Sequence, residues 1–336
     1  MGPDPAVAAV RLGVRQSLSD LASPAPLGDQ PLVLAACSGG PDSLAMSAAL
    51  AFEVPRLGLR AGAVTVDHGL QPGSAGQAMR VAGILRDLGL DPVHTLRAQV
   101  AGRGEAAGYP GPEAAARQAR YAAIEAAATE CGAAAVLLGH TMDDQAETVL
   151  LGLARGSGAR SLSAMERSSG RYLRPLLGLR RSQTRAACEA LGLEPWDDPQ
   201  NADPSYARTR VRQQVLPLME ELLGPGITEA LARTADRLRA DADALDDLAE
   251  EAADQLRTAG QGLEVTALAE LPGAIRTRLL KRAAIAAGAP AGSLSAAHVA
   301  SLDAFVTAWH GQRWSDLPGG VRCVRRYGRL HFTTRL

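Results

Sequence analysis

The sequence contains few aromatic residues and almost no lysine. Aromatic residues make up only 3% of its 336 residues, so alanine, leucine and valine must build most of the core. Of 35 basic residues only Lys281 is a lysine, and the formal net charge is −1. A surface for nucleic acid would therefore have to be a local patch of arginines, whose planar guanidinium groups suit phosphate.

The scarcity of cysteine and of long apolar runs excludes further classes of protein. Cys37, Cys131, Cys188 and Cys323 are far apart and form no C-x-x-C pair, which argues against a zinc ribbon, an iron–sulfur site and a disulfide framework. No apolar run reaches the length of a membrane span, and the N-terminal segment has the pattern of an amphipathic helix, not of a secretory signal. We therefore expect a soluble, cytoplasmic protein without a membrane partner.

One stretch combines a buried strand, a glycine turn and a helix start. Residues 32–36 are an apolar run typical of a buried parallel strand, and a helical pattern begins at Asp42. Backbone N–H groups at such a helix start lack partners and carry partial positive charge, so the turn predicts a phosphate site. Ser38 and Ser43 add hydroxyl donors, whereas Asp42 suits a phosphate only through a divalent cation.

Strand-like and helix-like segments alternate between residues 31 and 200. The apolar strands predict a parallel sheet with helices on both faces, which is a doubly wound α/β fold. Ligands bind such sheets at the carboxyl ends of the strands. Loops 37–43, 67–69 and 139–147 should therefore meet along one edge of the sheet.

A second candidate site follows the predicted strand that ends at Gly139. His140, Asp144 and Glu147 are four and three residues apart, a spacing that places side chains on one face of a helix. Capping of the helix would account for one aspartate, but not for a histidine and three acids together at a strand end. These groups suit either Mg²⁺ or a cationic substrate.

Arginines are concentrated between residues 155 and 212. Two interpretations of this tract stay open, a solvated surface and a surface that follows the phosphates of an RNA. Arg208 and Arg212 would share a face of a helix, whereas Arg210 would join them only on an extended segment. The tract comprises Arg155, Arg160, Arg167, Arg171, Arg174, Arg180, Arg181, Arg185, Arg208, Arg210 and Arg212.

The composition changes after Pro217. The Gly-Pro-Gly sequence at 224–226 marks a break, and mostly helical patterns follow it. The chain then has the pattern of a β-hairpin that turns near Tyr327 and Gly328. We assign residues 1–217 to the α/β domain and residues 226–336 to a smaller, mostly helical domain that ends in this hairpin.

The ordered motifs resemble those of the tRNA(Ile)-lysidine synthetase family of PP-loop ATP pyrophosphatases. In chain order they are S-G-G-P-D-S, V-D-H-G-L, R-Q-A-R-Y, G-H-T-M-D-D-Q-A-E-T-V-L, R-G-S-G, R-P-L-L, D-P-Q-N and R-T-R-V-R. The resemblance implies an adenine nucleotide alpha hydrolase-like fold and an enzyme that adenylates the wobble cytidine of an isoleucine tRNA with a CAU anticodon. Free L-lysine then displaces AMP and gives lysidine, and pyrophosphate is the other product.

The resemblance also implies roles for individual residues, with ATP and Mg²⁺ as cofactors and a helical second domain that contacts tRNA. Asp42 would be the metal ligand. The implied ATP-binding residues are Ser38, Gly39, Gly40, Pro41, Asp42 and Ser43. The implied catalytic residues are Asp42, His140, Asp144, Glu147 and Arg208. Thr209 departs from the asparagine that is usual between the family's arginines, which puts an amide contact there in question.

Two other functions share parts of this pattern. A tRNA thiolase could use the same ATP loop, although paired cysteines are absent, and an ATP-binding module without turnover would not need the acids at 140–147.

Two carboxylates can select the ammonium group of lysine, and one of them or His140 could take its proton before attack. The oligomeric state stays open, with a homodimer among the options.

Overall fold

The computed structural model describes residues 2–21, 30–67, 69, 73–98, 112–156, 158–198, 203–256 and 262–334. Contacts between residues divide the chain into two compact units, residues 1–236 and 237–336. This division lies inside a long helix, and the second unit begins eleven residues after the start that the sequence predicts for the second domain at 226. Among the described helices, none is long and apolar enough to cross a membrane.

The first unit is built on a six-stranded sheet. Its strands are β1 (Leu32–Ala36), β2 (Arg60–Asp67), β3 (Val93–Arg97), β4 (Ala135–Leu138), β5 (Ser168–Ser169) and β6 (Tyr172–Leu173). Their order across the sheet is β3-β2-β1-β4-β6-β5, and all neighbours are parallel except the edge strand β5. This mostly parallel sheet confirms the predicted α/β fold class.

Helices cover both faces of this sheet. The helices of this unit are α1 (Pro5–Leu18), α2 (Pro41–Leu57), α3 (Ser74–Asp87), α4 (Pro112–Glu130), α5 (Met142–Ala154), α6 (Ala159–Leu162), α7 (Arg181–Ala190), α8 (Ala207–Arg210), α9 (Leu216–Leu223) and the first part of α10 (Ile227–Leu256). A π-helical turn, Val211–Val215, joins α8 to α9. Helices α1, α2, α3 and α7 pack on one face, and α4 packs on the other.

The two-sided cover explains why β1 is a continuous apolar run. Side chains alternate between the faces of a strand. Val33 and Ala35 pack with the helices of the first face, whereas Leu32 and Leu34 pack with α4 on the second. A polar residue at any of these positions would therefore be buried, so the central strand has no polar face.

The topology brings two predicted loops together. Strands β2 and β4 lie on either side of β1, so the segments that leave β1 and β4 meet at the same edge of the sheet. They are in close contact, because a Cβ added to Gly139 would lie 3.1 Å from the amide nitrogen of Ser43 and 3.3 Å from the carbonyl carbon of Asp42. Strand β2 ends at the same edge, although His68 lies outside the described residues.

The second unit combines helices with a small antiparallel sheet. Beyond its part of α10 it contains β7 (Leu263–Glu264), α11 (Val265–Glu270), α12 (Gly273–Ala286), α13 (Ala296–Thr307), β8 (Ser315–Asp316), β9 (Val321–Arg326) and β10 (Arg329–Thr334). The strand order is β7-β10-β9-β8. Strands β9 and β10 form the predicted hairpin, and both turn residues, Tyr327 and Gly328, have positive φ, as a tight hairpin turn requires.

Gly39, in the turn after β1, provides a direct test of the packing around the loop. Its φ is +87°, and a Cβ there would lie 2.5 Å from Cγ2 of Val81. We expect Gly39→Ala to lower the free energy of unfolding by about 2–4 kcal/mol, because strain and overlap add. Urea denaturation measures this change.

Gly132 supplies the matched control, since its φ is +65° but no atom lies within 4 Å of an added Cβ. Gly132→Ala should cost about 1 kcal/mol, from backbone strain alone. Combining Gly39→Ala with Val81→Ala should cost less than the sum of the two separate changes. Equal costs at Gly39 and Gly132 would show that the contact with Val81 is unimportant.

Candidate active site

The turn after β1 is held from inside by Ser43. The Ser43 hydroxyl lies 3.2 Å from the Ser38 amide nitrogen, from which it accepts a hydrogen bond, and it donates to the Gly40 carbonyl oxygen at 3.0 Å. Gly40 caps α2 without a side-chain hydrogen bond, so the amides at the start of this helix keep their donors for a ligand. The structure thus places the predicted phosphate-binding residues in one preformed loop.

Asp42, in the first turn of α2, is held by two residues of α7. The Thr184 hydroxyl donates to Oδ1 of Asp42, and Nε of Arg181 donates to Oδ2 at 3.4 Å. Burial raises the pKa of Asp42, and the bonds from Thr184 and Arg181 oppose this effect. The carboxylate therefore depends on these two partners to remain charged.

The Asp42 carboxylate fits a metal ion that arrives with a nucleotide. Among the described residues, no three His, Cys, Asp or Glu side chains are grouped so that they could hold a metal ion by themselves. Mg²⁺ commonly binds one or two protein carboxylates and completes its shell with water and phosphate oxygens. A single carboxylate beside a phosphate loop matches that coordination chemistry.

Asp144 caps α5 and joins two arginines. Its Oδ2 accepts hydrogen bonds from the amide and the hydroxyl of Thr141 at 2.8 and 2.9 Å. Its Oδ1 accepts from Nη2 of Arg181 at 3.0 Å and of Arg212 at 3.4 Å. Burial favours the neutral acid, but Arg181 and the Thr141 amide outweigh it and hold the pKa of Asp144 below its ordinary value. Asp144 is therefore an anion at neutral pH.

Glu147 has no exposed surface and contacts three arginines. Arg212 binds both of its carboxylate oxygens, at 2.7 and 3.1 Å. Nε of Arg208 lies 3.1 Å from Oε2, and Nη1 of Arg181 lies 3.5 Å from Oε1. A buried carboxylate needs such partners, because an unpaired charge in the interior costs several kcal/mol.

The segment 207–215 is helical, which decides between the two arrangements that its arginines allow. Arg208 and Arg212 share the face that meets Glu147, as expected for a helix. Arg210 instead donates to the carbonyl oxygens of Pro204 and Ser205, at 2.7 and 2.8 Å. The extended arrangement, in which all three arginines would align, is not adopted.

His140 is half-buried beside arginines, and its low pKa makes it neutral at physiological pH. Burial lowers its pKa to about 3; Asp144 opposes this effect, and Arg174, Arg120 and Arg117 add to it. Its buried Nδ1 has no hydrogen-bond partner in the part of the chain that the structure describes. A group with this pKa is a poor base for a lysine ammonium, whose pKa is about 10.4 in water. The low pKa of His140 thus argues against this residue as the proton acceptor.

A pocket of about 140 Å³ opens beside the acids. Its walls carry both signs of charge, with three acids and three arginines. The lining residues are Asp143, Glu147, Arg180, Arg181, Arg212, Leu216, Pro217, Glu220 and Thr228. Glu220 fixes the far wall by accepting hydrogen bonds from the Gly226 amide at 2.7 Å and the Thr228 amide at 3.1 Å. Such a lining suits a small molecule that carries charges of both signs.

Sequence reasoning missed the central position of α7. It placed Arg181 only in the arginine tract and gave Thr184 no role. Both contact Asp42, which lies 139 and 142 positions earlier in the chain. The separation of three between Arg181 and Thr184 is a sign that they share a helix face, but nothing local indicates which residue that face meets.

Comparison with known proteins places the chain in a family. A model of the PP-loop domain matches residues 13–219, and a model of the TilS substrate binding domain matches residues 263–331. A tRNA(Ile)-lysidine synthase from Thermobifida fusca is 59% identical over 98% of both chains. One from Streptomyces coelicolor is 54% identical over 98% of this chain and 99% of its own. The chain belongs to the tRNA(Ile)-lysidine synthase family.

This membership confirms the predicted family and its PP-loop domain. A solved structure, the U34-tRNA thiolase NcsA from Methanococcus maripaludis with its [4Fe-4S] cluster, is similar with a TM-score of 0.55. It is 18% identical and covers 69% of this chain and 79% of its own, so the likeness concerns the fold alone. The cysteines of this lysidine synthase family member, including Cys37 and Cys131, are free thiols.

The low pKa of His140 predicts how stability changes with pH. Between pH 6.5 and about 3 the unfolded chain binds a proton at this residue and the native state does not. The free energy of unfolding should therefore fall as the pH decreases, by about 2 kcal/mol from this group between pH 7 and pH 5. His140→Gln should remove that part of the slope, as measured by urea denaturation at both pH values.

A slope that is the same in His140→Gln and the wild type would contradict a His140 that stays neutral in the native state.

Proposed function

We propose that the protein ligates L-lysine to the wobble cytidine of the isoleucine tRNA with a CAU anticodon, in the cytoplasm. The observation that carries this proposal is the position of Arg181, whose guanidinium contacts Asp42 of the phosphate loop and both Asp144 and Glu147. The ATP loop and the acid cluster therefore belong to one site. Identity to curated tRNA(Ile)-lysidine synthases over nearly the whole chain supports the same reaction.

In the first step the cytidine oxygen attacks the α-phosphate of ATP, and the bond to pyrophosphate breaks. The amides at the start of α2 and the Ser38 hydroxyl would donate to the phosphates, and Asp42 would hold the metal. Bound Mg²⁺ supplies positive charge where pyrophosphate gains negative charge. Arg208, which is kept in place by Glu147 and by a 2.7 Å hydrogen bond to Thr148, would stabilise charge on the transferred phosphate.

In the second step the side-chain amine of lysine attacks the activated carbon, and AMP leaves with the oxygen. We assign free lysine to the pocket beside Glu147, where acids meet its ammonium groups and an arginine meets its carboxylate. The oxygens of Asp144 and Glu147 already have partners, so lysine must replace an arginine contact. The longest of these, 3.5 Å, joins Arg181 to Glu147. The carboxylates that hold the ammonium favour its charged form, so one of them would have to accept its proton before the amine attacks.

The tRNA would contact both units. Residues 263–331 match the TilS substrate binding domain, which supports a role in holding the tRNA. Part of the arginine tract is unavailable for this purpose, because Arg180, Arg181, Arg208 and Arg212 bind carboxylates inside the site. Exposed members such as Arg155 suit phosphate contacts.

One incubation tests the proposal. Wild-type protein with labelled lysine, Mg²⁺, ATP and CAU-anticodon tRNA should attach the label to the tRNA and release one AMP and one pyrophosphate for each lysine. Asp42→Asn, which keeps an acceptor for Thr184 but removes the charge, should release no AMP. An isoleucine tRNA with a GAU anticodon has no wobble cytidine and should stay unlabelled. ATP consumption without transfer of lysine, or ATP binding without turnover, would refute ligation.

A further inference from the structure

Helix α7 reaches the phosphate loop with three side chains. Arg181, Thr184 and Cys188 are three and four residues apart and so share one face of the helix. The Cys188 thiol donates to the Pro41 carbonyl oxygen at 3.3 Å, and Thr184 and Arg181 bind the carboxylate of Asp42. One face of α7 is therefore fitted to the first two residues of α2.

The carboxylate of Asp42 is directed away from its own helix. An acidic side chain at a helix start commonly accepts hydrogen bonds from the free amides of the first turn. Both oxygens of Asp42 instead accept bonds from α7, one from Thr184 and one from Arg181. The orientation of this carboxylate is thus set by residues about 140 positions later in the chain.

Thr184 and Arg181 contribute differently to this orientation. The guanidinium of Arg181 is shared among three carboxylates, and its 3.0 Å bond to Asp144 is shorter than its 3.4 Å bond to Asp42. Thr184 is fully buried, and the single proton of its hydroxyl faces two acceptors, Oδ1 of Asp42 and the Arg181 carbonyl oxygen at 2.8 Å. The carboxylate is charged and is therefore the stronger acceptor. A hydroxyl bond to a carboxylate is short and directional. Arg181 therefore provides a positive charge beside the Asp42 carboxylate, and Thr184 fixes the orientation of that carboxylate.

We propose that Thr184 is a positioning residue that orients Asp42 for the Mg²⁺ of Mg²⁺–ATP. The proposal rests on the proposed function, in which Asp42 holds the metal. Mg²⁺ requires near-octahedral geometry with oxygen ligands at about 2.0–2.1 Å, so the rotation of its carboxylate ligand matters. A residue that hydrogen-bonds to a metal ligand without touching the metal also affects binding. Its removal commonly lowers the affinity for the metal by about 10- to 100-fold.

The test separates the hydroxyl from the shape of the side chain. Thr184→Val keeps the branched shape and loses the hydroxyl, whereas Thr184→Ser keeps the hydroxyl. Arg185→Ala is the matched control, because Arg185 follows on the same helix and forms an exposed pair with Asp197 at 2.9 Å. The dissociation constant of a non-hydrolysable ATP analogue is measured calorimetrically for each variant, with Mg²⁺ and with EDTA.

Mg²⁺ should increase the affinity of Thr184→Val for the ATP analogue at least about tenfold less than it increases that of the wild type. The dissociation constant in EDTA should change little. Thr184→Ser and Arg185→Ala should keep the wild-type gain from Mg²⁺. If Thr184→Val does not fold, as judged by thermal unfolding without ligand, Thr184→Ala replaces it with the same expectation.

Two results would overturn the proposal. One is an unchanged gain from Mg²⁺ in the variant without the hydroxyl, and the other is an equal loss in Mg²⁺ and in EDTA, which a general distortion of the loop would cause. The binding assay contains neither tRNA nor lysine. Lysidine formation by the wild type together with either result would thus reject the role of Thr184 and leave the proposed function standing.

Discussion

The site depends on the burial of one carboxylate. Glu147 has no exposed surface, and a buried anion without partners would cost several kcal/mol. Arg181 from α7 and Arg208 and Arg212 from the segment 207–215 surround it. The need to pair this buried charge therefore holds α5, α7 and the segment 207–215 together at the carboxyl end of β4. Through Arg181 it also connects the acids to Asp42 and the phosphate loop.

The arrangement of charge suits the two substrates that we propose. The phosphates of ATP require positive partners and the ammonium of lysine requires negative ones, and in the ligand-free protein these partners neutralise each other. Binding can then proceed by exchange of partners, so that no charge is left alone in a site of low polarity. Arg181 and Glu147 are the pair at which we expect this exchange, because their 3.5 Å contact is the longest of those that Asp144 and Glu147 make with arginines.

Local sequence patterns were sufficient to predict the features that depend on residues close together in the sequence. The apolar run 32–36 and the glycines after it indicate the strand and the phosphate loop, and a parallel sheet requires that loop to meet the one after Gly139. The partners of the acids could not be predicted in the same way. A spacing of three or four shows that Asp144 and Glu147 share a face, but the arginines that meet them come from other elements. The burial that makes His140 neutral is likewise a property of the folded chain.

The central claim is that Glu147 selects lysine while Arg208 serves the transferred phosphate. Glu147→Gln keeps the shape and an acceptor for the arginines but removes the charge. We expect adenylated tRNA to accumulate at nearly the wild-type rate when lysine is withheld. Transfer of lysine to that intermediate should then be about 10- to 100-fold slower, the effect of one lost charged hydrogen bond. Trapping the adenylated tRNA and then adding lysine measures both steps, and loss of the adenylate in Glu147→Gln would contradict the claim.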